Sequence, residues 1–157
     1  MTAKKLGLHK GRAFLLSEPG PNTHKIQLMN TRQTVSSGTT WEALAGYARA
    51  VRIGNHIWVS GTTATDPAGH LVGAGDAAEQ TRFALRKIEA ALTQLGATLT
   101  DVVRTRIYVR DLVDWEAAAR VHGEVFSAIR PANTLVQAQL VGDGYLVEVE
   151  ADAYLES

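Results

Sequence analysis

The sequence predicts an α+β protein with two helices on one face of a mostly antiparallel sheet, in the order β-β-α-β-α-β-β. Three observations carry this. Two stretches repeat apolar residues at helical spacing. Single strand-like runs separate and flank them. The strand-like runs also alternate polar and apolar positions, as a sheet with one covered face requires.

The first strand pair falls at 49–53 and 56–60, with Gly54-Asn55 between them, a two-residue connection typical of a β-hairpin. Asp66-Pro67-Ala68-Gly69 reads as a turn and 69–75 as a glycine-bearing loop. The clearest helix spans about 74–95, with Thr81, Leu85, Ile88, Leu92 and Leu95 on one stripe, Asp76 in its first turn and Gly96 as its stop. A strand follows at Val102–Val109. The second helix runs from about Leu112 to Ile129, with Trp115, Ala118, Ala119, His122 and Phe126 as its inner stripe. Arg130-Pro131 ends it, because the residue before proline is pushed out of the helical region. Two strands, near 134–141 and 145–155, close the chain as a second hairpin around Gly142-Asp143-Gly144.

The 157 residues suit one domain, read here as residues 31–157, preceded by a basic extension over 1–30. That extension holds Lys4, Lys5, Lys10, Arg12 and Lys25 against Glu18 alone, and it contains the breaker cluster Pro19-Gly20-Pro21. It is expected to be loosely ordered. Met29 offers a second starting methionine just before the organised region. Lysine plus arginine equals aspartate plus glutamate, at 16 each, which argues against a nucleic-acid partner. With no cysteine, thiol nucleophiles, disulfides and Cys-ligated metals are excluded. The absence of a long apolar run argues against a membrane span, so a cytoplasmic domain is expected. The five histidines (His9, His24, His56, His70 and His122) show no metal-ligand spacing, and no organic-cofactor motif is evident: Gly73-Ala74-Gly75 lacks the third glycine of a dinucleotide fingerprint. Val59-Ser60-Gly61 lacks the preceding glycine of a nucleophile elbow.

Strand parity is the most informative pattern. Arg104, Arg106, Tyr108 and Arg110 share one face of their strand, opposite Val103, Thr105, Ile107 and Val109. In the last strand Glu148, Glu150 and Asp152 share a face with Tyr154, opposite Val147, Val149, Ala151 and Ala153. Three carboxylates spaced ~7 Å along one strand repel one another unless a row of arginines lies near. Two readings stay open: the rows face water and neutralise each other, or they meet other subunits at an interfacial site.

Six separated segments occur in one order: Gly46 to Val51, Val59 to Thr62, Ala78 to Gly96, Val103 to Asp111, Arg130 to Ala132 and Val147 to Ala151. Together they resemble the RidA (YjgF-type) family of reactive-intermediate deaminases. The resemblance implies a chorismate-mutase-like fold, a homotrimer whose charged sheet faces look inward, and a small-molecule cleft between neighbouring subunits. It implies hydrolysis of enamine and imine metabolites such as 2-aminoacrylate to carbonyl product and ammonia, with no metal or organic cofactor.

Carried over residue by residue, it makes Glu148 the water-positioning catalytic carboxylate. It makes Tyr47, here without the usual preceding proline, Ser60, Gly61 and Leu135 the substrate contacts. The departure is Asn133: the segment reads Pro131-Ala132-Asn133-Thr134 where active deaminases have an arginine that grips the substrate carboxylate. Arg106, in the inward-facing row, is the candidate substitute. The competing readings are a non-catalytic metabolite-binding trimer and, more distantly, a ribonuclease, which lacks a basic-aromatic stripe here.

Overall fold

The computed structural model describes residues 31–156; the expected basic extension over 1–30 lies outside the described residues. The elements are β1 (Gln33–Val35), α1 (Thr40–Ala45), β2 (Ala50–Ile53), β3 (His56–Thr63), α2 (Ala77–Gln94), β4 (Val102–Val109), α3 (Trp115–Phe126), β5 (Ala132–Gln137) and β6 (Val147–Tyr154). Short 3-10 turns at Leu99–Asp101 and Leu112–Asp114 precede β4 and α3. The strands form one sheet in the order β1-β2-β3-β6-β4-β5, antiparallel except for β4 with β5.

The β2–β3 hairpin forms as expected, with Gly54 at φ 59 in its turn. Helix α2 also forms, two to three residues shorter at its start. Asp76 is its N-cap and accepts from the Glu79 amide at 3.0 Å. Gly96, at φ 79, closes the helix, with its N–H on the Thr93 carbonyl and that of Ala97 on Leu92. All five predicted stripe residues are buried. Leu85, Ile88, Leu92 and Leu95 pack with Ile57, Val59, Ile107, Val149 and Ala151 from the sheet into one core.

Four expectations need correction. The last two strands are not a hairpin: α3 carries the chain back across the sheet, so β5 runs parallel beside β4, and β6 inserts between β3 and β4. A β–helix–β connection returns the chain in the same direction, which a tight turn cannot do. Helix α3 is shorter than expected, and its inner residues are Ala118, Val121 and Phe126, while Trp115 is exposed. The parity in β4 slips at its start, where an irregularity between Val102 and Arg104 turns Val103 outward and Val102 inward. Finally, β1 and α1 were not anticipated; both are short, and helices of this length take their stability from tertiary contacts.

Candidate functional site

On the open sheet face, β4 and β6 pair with Arg104 opposite Asp152, Arg106 opposite Glu150 and Tyr108 opposite Glu148. The Arg106 guanidinium lies 3.7 Å from the Glu150 carboxylate and 3.4 Å from that of Asp152. The Tyr108 hydroxyl donates a short hydrogen bond to Glu150, and this bond is the main reason the phenol is held above its ordinary pKa. Two carboxylates of the row are therefore compensated. Glu148 has no hydrogen-bond or ion-pair partner among the described residues. Its carboxyl is half-buried and shifted upward, first by burial and then by the charge of Glu150, with Arg49 opposing.

What Glu148 faces is a break in its neighbour. The β3–β6 pairing shifts register between Val59 and Thr62, so Ser60 and Gly61 leave the ladder. Gly61 sits against the carboxylate so closely that a Cβ there would lie 1.9 Å from Glu148 Oε1. Arg49, only 6% exposed, holds the bulge open. Its Nη1 donates to the carbonyls of Ser60 (3.1 Å) and Gly61 (2.6 Å) and to Thr62 Oγ1 (2.9 Å). Its Nη2 donates to the Tyr47 hydroxyl at 3.3 Å. The Ser60 hydroxyl is tied to the Ala48 carbonyl at 2.8 Å.

Around these residues opens a cleft of about 660 Å³, lined among others by Tyr47, Arg49, Ser60, Gly61, Lys87 and Glu148. The Lys87 ammonium, on α2, donates to the carbonyls of Thr63 (3.0 Å) and Thr65 (2.8 Å). Burial, reinforced by Arg49, pulls its pKa down to about 8. The cleft thus sets a carboxyl that holds its proton more readily than usual against two cations. Such a pairing can move a proton to and from a small polar ligand.

The sequence-predicted site residues separate into three places. Tyr47, Ser60, Gly61 and Glu148 meet in this cleft. Arg106 does not line it, being engaged by Glu150 and Asp152 further along the sheet. Asn133 and Leu135 lie on the edge strand β5, with their side chains on the helix-covered face. Asn133 Nδ2 donates to Thr105 Oγ1 at 3.0 Å, and that oxygen is 2.8 Å from His122 Nε2. Within the chain the Glu148 carboxylate and the Asn133 side chain are on opposite faces of the sheet. Arg49 and Lys87 escaped sequence reasoning. Arg49 had a signal, being an arginine between two alanines at the lead into β2. Lys87 had none, since one lysine beside a helix stripe looks like any solvated lysine.

A family model described as Endoribonuclease L-PSP matches residues 38–155. Over 121 residues the chain is 39% identical to an uncharacterised protein of Streptomyces coelicolor, covering 76% of this chain and 90% of that one. Over 112 residues it is 38% identical to the 3-aminoacrylate deaminase RutC of Acinetobacter baylyi, covering 71% and 89%. Among solved structures, Rv2704 of Mycobacterium tuberculosis, a member of the YjgF/YER057c/UK114 family, is 50% identical with a TM-score of 0.72, covering 80% of this chain and all of that one.

Proposed function

The chain belongs to the YjgF/RidA family, and we propose that it is a deaminase that hydrolyses small enamines and imines to a carbonyl compound and ammonia. The observation that carries this reading is the Glu148 carboxyl: half-buried, unpartnered, raised in pKa and pressed against a glycine in a cleft of substrate size. An enamine first takes a proton on carbon and becomes its iminium ion. Glu148 then draws a proton from water as the water oxygen attacks the imine carbon. The same carboxyl returns that proton to the carbinolamine nitrogen, the carbon–nitrogen bond breaks, and ammonia leaves as the hydroxyl gives up its proton and the carbonyl forms. Tyr47 and the freed backbone of Ser60 and Gly61 orient the substrate.

We further propose a homotrimer in which Asn133 and Leu135 of one protomer complete the cleft of its neighbour. Asn133 lies on an exposed edge strand away from its own Glu148, and the half-charged sheet face offers a surface for assembly. At Asn133 a neutral amide stands where the family resemblance puts an arginine, which favours substrates whose carboxylate is held elsewhere or absent.

The test supplies imines from an amino-acid oxidase, and 3-aminoacrylate separately, to the purified protein and follows the trapped intermediate. Wild type is expected to turn over, and Glu148→Gln to lose at least a hundredfold, the scale of a positioned acid–base group. Unchanged turnover in Glu148→Gln would sink the mechanism. A silent wild type that still binds ligand would identify a metabolite-binding protein instead.

A further inference from the structure

The Glu148 cleft adjoins a second cavity of about 210 Å³ between the loop after β1, the turn after β3 and helix α2. Thr39, Arg49, Thr65 and Lys87 line both. Among the described residues two buried side-chain polar atoms lack a hydrogen-bond partner, Thr39 Oγ1 and Arg49 Nε, and both residues stand in this shared wall. Buried polar groups are almost always paired, so two orphans in one wall are two hydrogen-bonding groups still open to a partner.

The charges point the same way. Among the described residues every Arg49 hydrogen bond goes to a neutral oxygen: the Ser60 and Gly61 carbonyls and the Thr62 and Tyr47 hydroxyls. Among the described residues Lys87 likewise bonds only the Thr63 and Thr65 carbonyls. The acidic groups nearby are otherwise occupied or across the site. Glu42 is held by the Ser36 and Ser37 hydroxyls and the Ser37 amide, and Asp66 accepts from the Ala68 and His70 amides. Glu42 and Glu148 act on Arg49, and Asp66 on Lys87, only through space, with no direct ion pair among the described residues, and an anionic ligand would supply that direct contact.

We propose that Thr39, Arg49 and Lys87 form an anchoring subsite for the carboxylate of a short imino or enamino acid whose carbon–nitrogen bond lies at Glu148. The carboxylate accepts from the Arg49 Nε–H, the Thr39 hydroxyl and the Lys87 ammonium. The grip that Asn133 cannot provide then comes from the wall of the cleft itself. The assignment of the reacting end rests on the deaminase reading; the anchoring of the anion does not.

Calorimetric titration of the full-length protein with pyruvate and with its neutral isostere pyruvamide tests this. Wild type is expected to bind pyruvate at least tenfold more tightly. Lys87→Met and Thr39→Val each reduce that preference several-fold, while Lys87→Arg, which keeps the cation, retains most of it. Melting temperatures of the variants separate lost binding from lost folding. Arg49→Met is left aside because that side chain also holds the β3 bulge. Equal affinity for the two probes in wild type, or an undiminished preference in both Lys87→Met and Thr39→Val, overturns the proposal. Glu148-dependent turnover without any carboxylate preference sinks the subsite and spares the deaminase. A carboxylate preference in a wild type without turnover does the reverse.

Discussion

Gly61 and Glu148 approach each other more closely than any other side chain at position 61 allows, and two predictions follow from that contact. Gly61 has no positive φ, so alanine is tolerated by the backbone, and the atom it would strike is the far end of a flexible side chain. Gly61→Ala should therefore fold with a melting temperature within a few degrees of wild type, yet lose at least tenfold in turnover because the carboxylate is displaced, a split that paired melting and rate measurements would reveal. The second concerns pH. The folded state raises the Glu148 pKa, so it favours the protonated carboxyl. The associated stability is fully present below the ordinary value of 4.5 and is lost as pH rises through the folded value. Glu148→Gln should melt above wild type at pH 7 and converge with it in acid. Arg106, by contrast, holds the carboxylate row together. Arg106→Ala should leave KM unchanged and cost ~1 kcal/mol in denaturant unfolding, the modest figure reflecting its partial exposure.

At the scale of elements, one buried polar side chain ties α2 to the long connection before β6. Gln80 is fully buried; its amide donates to the carbonyls of Gly73 (3.1 Å) and Gly144 (2.9 Å), and its oxygen accepts from the Leu146 amide at 2.8 Å. That connection has to cross from the sheet edge to the gap between β3 and β4, and Gln80 fixes where it lands. Gln80→Leu removes the hydrogen-bond partner of the Gly144 carbonyl and of the Leu146 amide, while the Gly73 carbonyl keeps the Asp76 amide, so chemical denaturation should show a loss of ~2 kcal/mol. Helix α2 also positions Lys87, since the stripe that buries Ala84, Ile88 and Ala91 leaves position 87 at the edge of the core, where its amine reaches the end of β3. Helix periodicity marks the stripe but not what its flank meets.

For the whole molecule, the open sheet face carries an ion-paired row beside exposed aromatic residues, with Trp58 44% and Tyr154 40% exposed. The proposed trimer covers this face and brings Asn133 to a neighbour's cleft. Light scattering on the purified protein should give three times the 16.9 kDa chain mass. A monomer would undo the two-subunit site while leaving the Arg49–Lys87 wall intact, because every residue of that wall comes from one protomer.

Alternation and periodicity by themselves determined the stripe of α2, the β2–β3 hairpin, the stop at Gly96, and the division of β6 into an apolar and an acidic face. These are local properties, set by side-chain direction and backbone preference within a few residues. Motif resemblance added Tyr47, Ser60, Gly61 and Glu148, which do meet in one cleft. Only the tertiary structure decided that β6 lies between β3 and β4, which puts Glu148 against a bulge far away in the chain. It also decided that Asn133 faces the helices and that two orphaned polar atoms share a wall with Lys87. Which strand edges pair is settled by long-range hydrogen bonding and burial in the assembled sheet, and no pattern within a single strand encodes its neighbour.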